Sequence, residues 1–474
     1  MSGMREPASG SARGSGRSGA LYPRLSPGPG RSREAVASHQ RARLHAAMIE
    51  LVAECGYGAL TVRELVRTAG VSTRAFYRHF DGKEDCLLAT HELIVRRSAR
   101  RVIAAQRGCT DRREQLRLAV DAFGKGIARN PKAARLALVD TFAIWPAALV
   151  RMQRTVRAFE AMINASSRRV PNGTATSPLL VKGIVSGFER VARARVLAGS
   201  ERELPQLADE LVEWVLCYRV RAAAALGDLE YPGAPAGLGK LAATDGMSAE
   251  EPAYTDERAR ILVAAAKLAT EDGYWRLSAP RIRAAAGVSR RSFDAHFEDV
   301  QDCFFAAVEM TTARALAHAV RARTDDHEWP AGMVRALWAL CVSVAQDPVL
   351  ARLGFLEVLA PGPAGVRHRE RLLASVAADF RAGVPLAQRP SRLAAEAAMG
   401  AVWGVIQGHV AAGRSRRLPR IAPALSYLAL APAIGARPAL EAIAQEQARI
   451  RAAAGGRGGV RRPRASSVEG SAVR

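Results

Sequence analysis

Apolar side chains return every three or four residues along most of this chain: Leu44, Met48, Leu51 and Val52, then Leu87, Leu88, Leu93 and Ile94, then Leu211, Val212, Val215 and Leu216. Such spacing lays an apolar stripe along one face of an α-helix. Val, Ile and Tyr alternating at period two are scarce, so the pattern predicts an all-α chain without a sheet. Pro131, Pro146, Pro205, Pro348, Pro363 and Pro419 fall where the stripes begin or end, as suits a residue with no amide hydrogen to give to a helix interior.

The stripes lapse in three places. Residues 1–35 and 449–474 are rich in Gly, Ser, Pro and Arg and have too little apolar surface to offset the entropy of ordering, so both are expected to be disordered basic tails. Residues 1–33 hold six Arg and one Glu, and 449–474 hold seven Arg and one Glu, so the ends carry +5 and +6. They suit sequence-independent contact with phosphates, or simply solubility. The third lapse, 227–252, reads as a linker about 26 residues long. Its Gly237-Leu238-Gly239 lacks both the preceding strand and the third glycine of a dinucleotide fingerprint.

Sliding the chain on itself by 217 residues superposes Arg41-Ala42-Arg43 on Arg258-Ala259-Arg260, Gly56-Tyr57 on Gly273-Tyr274, and Ala69-Gly70-Val71-Ser72 on Ala286-Gly287-Val288-Ser289. From 41 to 86, 19 of 46 positions are identical. The match continues through Pro131 and Pro348, Ala134-Arg135-Leu136 and Ala351-Arg352-Leu353, Pro146 and Pro363, and Gly183 and Gly187 with Gly400 and Gly404. A period this long is a duplicated domain pair and not a solenoid repeat. The expected division is a helix-turn-helix domain at 36–92, a helical domain at 93–226, the linker, a degenerate helix-turn-helix domain at 253–309 and a second helical domain at 310–448.

Composition narrows the partners. Lys and Arg number 69 against 45 Asp and Glu, a net charge of +24 over 474 residues, which favours nucleic acid or an anionic surface. No apolar run reaches membrane-spanning length and the first thirty residues lack a signal-type apolar segment, so a cytoplasmic protein with no membrane partner is expected. Cys55, Cys86, Cys109, Cys217, Cys303 and Cys341 are widely spaced and read as reduced thiols. Neither a nucleophile elbow, a phosphate loop nor a metal-spaced His pair is present, so no catalytic residue, metal or cofactor is expected and an enzyme is disfavoured.

Within the first copy Thr61 can cap a short helix ending near Ala69, Gly70 can turn the chain with positive φ, and Ser72 can cap the next helix. Phe76 and Phe80, four apart, would anchor that second helix and leave Thr73, Arg74, Tyr77 and Arg78 outward. A helix so placed can enter a DNA major groove by its N-terminal end. Lys83-Glu84-Asp85 then opens a long helix whose first amides can meet a phosphate.

Residues 54–92, ECGYGALTVRELVRTAGVSTRAFYRHFDGKEDCLLATHE, closely resemble the DNA-binding domain of TetR-type bacterial transcriptional regulators. The resemblance rests on Gly56-Tyr57, Thr61, Ala69-Gly70-Val71-Ser72, Phe76-Tyr77, His79-Phe80 and Lys83-Glu84-Asp85. It implies three short N-terminal helices followed by a larger helical domain that binds a small-molecule effector and dimerises through its last two helices. Those helices would lie near 176–198 and 204–226, and near 391–412 and 420–434. By the same resemblance Thr61, Tyr77, His79 and Lys83 hold phosphates, Thr73, Arg74 and Arg78 approach bases, and Ser72 completes the DNA-binding set. Ala75 departs from the family's common Ser or Thr. The residues also admit structural readings: Tyr77 as cover for the core edge, His79 packed beside two phenylalanines. Lys83 at the positive end of a helix favours an anionic partner.

The second copy diverges where phosphates would dock. Residues 72–83 sum to +2 and residues 289–300 to −1; Tyr77 becomes Asp294 and Lys83 becomes Val300. Ser289, Arg290, Arg291, Ser292 and His296 remain as a second, weaker DNA site. The resulting expectation is a bacterial transcriptional regulator on double-stranded DNA, a repressor released by an unidentified small molecule and nucleoid-associated when bound. The first copy is its main reader, and the two units pair within the chain as a pseudodimer or between chains as a homodimer. The alternative is a sensing or sequestering protein that has lost DNA binding. Trp145, Phe142, Phe159, Trp214, Trp338, Phe355 and Trp403 are aromatics of the helical domains, to which core packing is the ordinary assignment; no effector-binding residue is assigned.

Overall fold

The computed structural model describes residues 32–151, 154, 157, 161, 177–218, 256–323 and 328–455. The expected linker at 227–252, with Gly237-Leu238-Gly239, lies outside these residues, as do Phe159 and most of both tails. Every regular element among the described residues is helical, and none of their helices is by itself long and apolar enough to cross a membrane. The chain divides into two compact units, Met1–Thr90 and His91–Arg474.

In the first unit, α1 (Arg33–Ala59) starts on a Ser32 cap, inside the stretch expected to be tail, and breaks at Gly56. Helix α2 (Val62–Ala69) and α3 (Thr73–Tyr77) follow, and α4 (Lys83–Ala105) begins here and runs on past residue 90. The caps are those expected. Thr61 and Glu64 form a reciprocal capping box, Gly70 turns the chain at φ 59°, and the Ser72 hydroxyl accepts from the Ala75 amide. Such caps are worth about 1 kcal/mol each. Leu44, Met48, Leu65, Phe76 and Leu87 are fully buried, and α2 packs on α1. Arg43 donates to the Gly70 carbonyl at 3.0 Å, tying α1 to the turn.

The second unit continues with α5 (Arg112–Arg129) and α6 (Pro131–Leu138), then α7 (Pro178–Ala198) and α8 (Ala208–Leu216). The duplicated helix-turn-helix segment follows as α9 (Glu257–Asp272), α10 (Ala279–Ala286), α11 (Arg290–His296) and α12 (Val300–Arg321). Its helical domain comprises α13 (Trp329–Gln346), α14 (Pro348–Phe355), α15 (Pro363–Ala382), α16 (Arg392–Ala411) and α17 (Leu418–Ile434). A further helix, α18 (Ala436–Gly455), reaches into the stretch expected to be the C-terminal tail. It packs on α13 and α17, and its Glu446 is fully buried in an ion pair with Arg335.

The closing helices of the two copies lie together. Helix α7 packs along α16, the most extensive helix–helix contact among the described residues. Glycines on both helices allow the approach: a Cβ on Gly187 would run into the Trp214 ring and stand 2.7 Å from the Ala397 carbonyl oxygen. One on Gly400 would stand 2.5 Å from Cβ of Arg190, and one on Gly404 would collide with Ser186. The Tyr218 hydroxyl donates to the Leu428 carbonyl at 2.8 Å, and its ring meets Tyr427 edge to face.

The aromatics Phe142, Trp214, Trp338 and Phe355 are buried, with Phe355 against Trp403 at 4.3 Å, and so serve as core. A cavity of about 560 Å³ opens between α13, α17 and α18, bordered by Pro330, Gln388, Ile434, Pro438 and Glu441; none of the six described aromatics lines it.

Candidate nucleic-acid interface

The short helix α3 is held from below and open above. Ala75 and Phe76 are buried, with Phe76 and Phe80 tilted against each other at 5.7 Å, whereas Ser72, Thr73, Arg74, Tyr77 and Arg78 are exposed. Tyr77, 56% exposed, is a large aromatic standing in solvent beside two guanidinium-bearing residues. The departure at Ala75 falls on the inner side of α3, facing the core.

Three of the residues assigned to phosphate have intramolecular partners. The Thr61 hydroxyl accepts from the Glu64 amide at 3.2 Å and donates to Glu64 Oε2 at 2.8 Å, and that donation, with the Thr61 amide's to the same oxygen at 3.0 Å, holds the Glu64 carboxyl below its ordinary range. His79 lies 3.3 Å through Nε2 from Gln40 Oε1 on α1. Burial, then the nearby charges of Arg41 and Arg78, lower its pKa, which favours a neutral ring at pH 7. Lys83 points its ammonium back at the broken end of α1, donating to the carbonyls of Leu60 at 2.8 Å and Tyr57 at 3.3 Å, and lies 4.6 Å from the centre of the Tyr57 ring. A cation at a helix start thus answers the carbonyls at the end of another helix. Burial also pushes the Tyr57 phenol up to about 12.

Thr61, His79 and Lys83 therefore brace the unit, and the outward set narrows to Ser72, Thr73, Arg74, Tyr77 and Arg78. Motif reading passed over Arg63 and Arg67, exposed one turn apart on α2; their spacing of four was the available signal.

The second copy repeats the frame. Gly287 turns at φ 63°, Ser289 accepts from the Ser292 amide at 3.1 Å, and Phe293 and Phe297 are buried at the same 5.7 Å separation. Its surface differs. Arg290 is paired at 3.3 Å with Asp294, the residue that replaces Tyr77, and the Ser292 hydroxyl donates to Glu257. Arg291 and His296 are exposed.

The family described as bacterial regulatory proteins of the tetR family matches this chain at two windows, residues 44–90 and 261–307. The chain carries the N-terminal domain of that family in both windows. The windows are offset by the same 217 residues as the repeat, so the TetR N-terminal domain occurs here twice. Among curated proteins, the HTH-type transcriptional activator FasR of Mycolicibacterium smegmatis is 33% identical over 107 residues, covering 23% of this chain and 49% of that protein. The chain thus spans about half the length of that relative. A solved structure of the fatty acid degradation regulator FadR from Bacillus halodurans is similar at 17% identity and a TM-score of 0.34, covering 40% of this chain and 97% of that one.

Proposed function

We propose that this chain binds double-stranded DNA chiefly through its first copy, as a repressor released when a small molecule occupies one of its helical domains. The observation that carries the reading is the contrast between α3 and α11. On α3, Thr73, Arg74, Tyr77 and Arg78 stand exposed over a buried phenylalanine anchor; on α11, Arg290 is paired with Asp294. An uncommitted guanidinium can bond phosphate or guanine, whereas one paired to a carboxylate must first give up that partner. The set proposed for DNA is Ser72, Thr73, Arg74, Tyr77 and Arg78, with Thr61, His79 and Lys83 reaching phosphate from their bracing positions. Ser289, Arg290, Arg291, Ser292 and His296 form the weaker second site.

Two reading heads of unequal strength suit an asymmetric operator. The packing of α7 on α16 supports pairing of the two copies within one chain, a pseudodimer working in the bacterial cytoplasm and at the nucleoid when bound. Selection of bound sequences from random duplex DNA at near-physiological salt tests this reading. The whole chain is compared with Arg74→Ala/Tyr77→Ala and with Arg290→Ala/Arg291→Ala. A motif lost with the first pair and only trimmed by the second is expected; no enrichment by the folded chain would overturn DNA binding. In a reporter fusion, deletion of the gene should raise expression from the selected site, and a fall would replace repression by activation, the mode named for FasR.

A further inference from the structure

The contact between α7 and α16 is chemically one-sided. Arg190 and Arg193 on α7 reach Glu370 on α15 at 2.9 and 3.4 Å, and Arg369 meets the same carboxylate at 2.7 Å. All four side chains are buried. Along the same seam Arg195 pairs with Glu396 on α16 at 3.1 Å. The duplication places Gln407, Val410 and Ala412 at the positions equivalent to Arg190, Arg193 and Arg195, and Met152, Gln153 and Leu179 at those equivalent to Arg369, Glu370 and Glu396. Every cross-copy ion pair in this seam therefore takes its cation from the first copy and its carboxylate from the second.

Burial alone would raise the Glu370 carboxyl, but Arg369, Arg190 and Arg193 together hold it below its ordinary range. Three guanidiniums on one buried carboxylate are a poor device for stability, and Nε of Arg190 and of Arg369 has no acceptor. They are an effective device against wrong partners. Two first copies brought together through α7 would bury Arg190 and Arg195 with no carboxylate across the seam and leave Arg193 only Glu189 of its own helix, and two second copies would leave Glu370 and Glu396 only Arg369 and Arg392 of their own copy.

We propose that this charged seam makes the pairing heterotypic: the closing helix of the first copy accepts a second copy and rejects another first copy. The proposal rests on the reading of the two copies as one paired unit. Its consequence is that one molecule always presents one strong and one weak reading head, and never two strong ones.

Light scattering and thermal melting of the full chain decide it. Glu370→Gln strands the guanidiniums of Arg190 and Arg369, leaves Arg193 to Glu189 and the Leu138 carbonyl, and is expected to lower the melting temperature by several degrees. Arg195→Glu sets two carboxylates face to face and should lower it as well, and the exchanged pair Arg195→Glu/Glu396→Arg should recover most of that loss. Replacing the seam by the residues of the opposite copy, R190Q/R193V/R195A with R369M/E370Q/E396L, removes the discrimination. That chain should scatter as dimers or larger species at micromolar concentration, where the wild type scatters as a single chain. Wild-type melting in both single variants, or no recovery in the exchanged pair, would overturn the charge seam and leave the pairing reading standing. A wild-type mass of two chains at nanomolar concentration would overturn the pairing reading itself.

Discussion

The two copies of the helix-turn-helix segment share turns, caps and a phenylalanine pair, yet differ in surface charge and in the acid that their helical domains carry. In the second copy the buried carboxylate of Glu357, paired with Arg352 at 3.3 Å, accepts the Tyr274 amide at 3.3 Å, so the start of the reading head is tied to the helical domain. The equivalent residues of the first copy are Asp140 and Arg135, one methylene shorter on the acid side. There the ion pair is 3.5 Å long, and the buried Asp140 Oδ2 has no hydrogen-bond partner. Duplication preserved the turn-and-cap frame in both copies, while divergence gave the second an acidic surface and left the first with an outward basic one.

The sharpest way to break the contrast is to transplant the acid. Tyr77→Asp should weaken DNA binding by about 10- to 100-fold, roughly 1–3 kcal/mol, measured by fluorescence anisotropy on the selected operator. The reciprocal Asp294→Tyr releases Arg290 and should lengthen the selected motif; affinities unchanged in both directions would dissolve the distinction between the heads.

Next in size is Lys83→Ala, which removes two charge-assisted bonds to the α1 carbonyls. It should destabilise the first unit by about 2 kcal/mol in denaturant unfolding. If Lys83 also holds a phosphate, the slope of log affinity against log salt falls by about 1. A stability loss with an unaltered salt slope would assign Lys83 to bracing alone.

Glu357→Ala should free the Tyr274 amide, with a cost of about 1 kcal/mol confined to the second head. Amide exchange of residues 256–299 then quickens while that of 32–90 does not; equal change in both would show that the tether is not specific to its copy.

The smallest effect concerns Asp140, whose carboxyl burial pushes up from 3.8 to about 6 against the opposing charges of Arg135 and Arg367. A folded-state acid pKa raised in this way contributes stability that is full below pH 3.8 and lost as pH rises through 6. Asp140→Asn should therefore gain on the wild type between pH 4 and 7, by about 1 kcal/mol or less once the lost Arg135 pair is counted. His91 runs the other way. Burial lowers it from 6.5 to about 4, so its contribution is present above 6.5 and lost as pH falls through 4. A wild-type minus variant difference that is flat in pH would remove Asp140 as its source.

Much of this architecture was legible along the chain because local rules wrote it. The 3.6-residue periodicity specified helices, Thr61, Ser72 and Ser289 specified caps, and Gly70 and Gly287 specified turns that only a residue without Cβ makes cheaply. Lys83 shows where such reasoning ends: its charge suggested an external anion, and its partners are carbonyls 23 and 26 residues earlier, brought near by the break in α1. Helix α18 starts inside the expected helical domain and overruns its boundary at 448, because the Ala- and Arg-rich residues 449–455 resemble a tail in composition; packing on α13 and α17 gives Glu446 a buried partner.

By itself, the sequence determined the helical class, the duplication at 217 residues, the turn-and-cap frame of both heads and the difference of three charges between them. These are properties of residues close in the chain or of exact repetition. Only the tertiary structure decided which glycines meet across α7 and α16, that Arg190, Arg193 and Arg195 find Glu370 and Glu396, and that Glu357 reaches Tyr274. Those contacts join residues 83 to 218 positions apart, and no local propensity encodes a pairing whose energy exists only after both partners have left water.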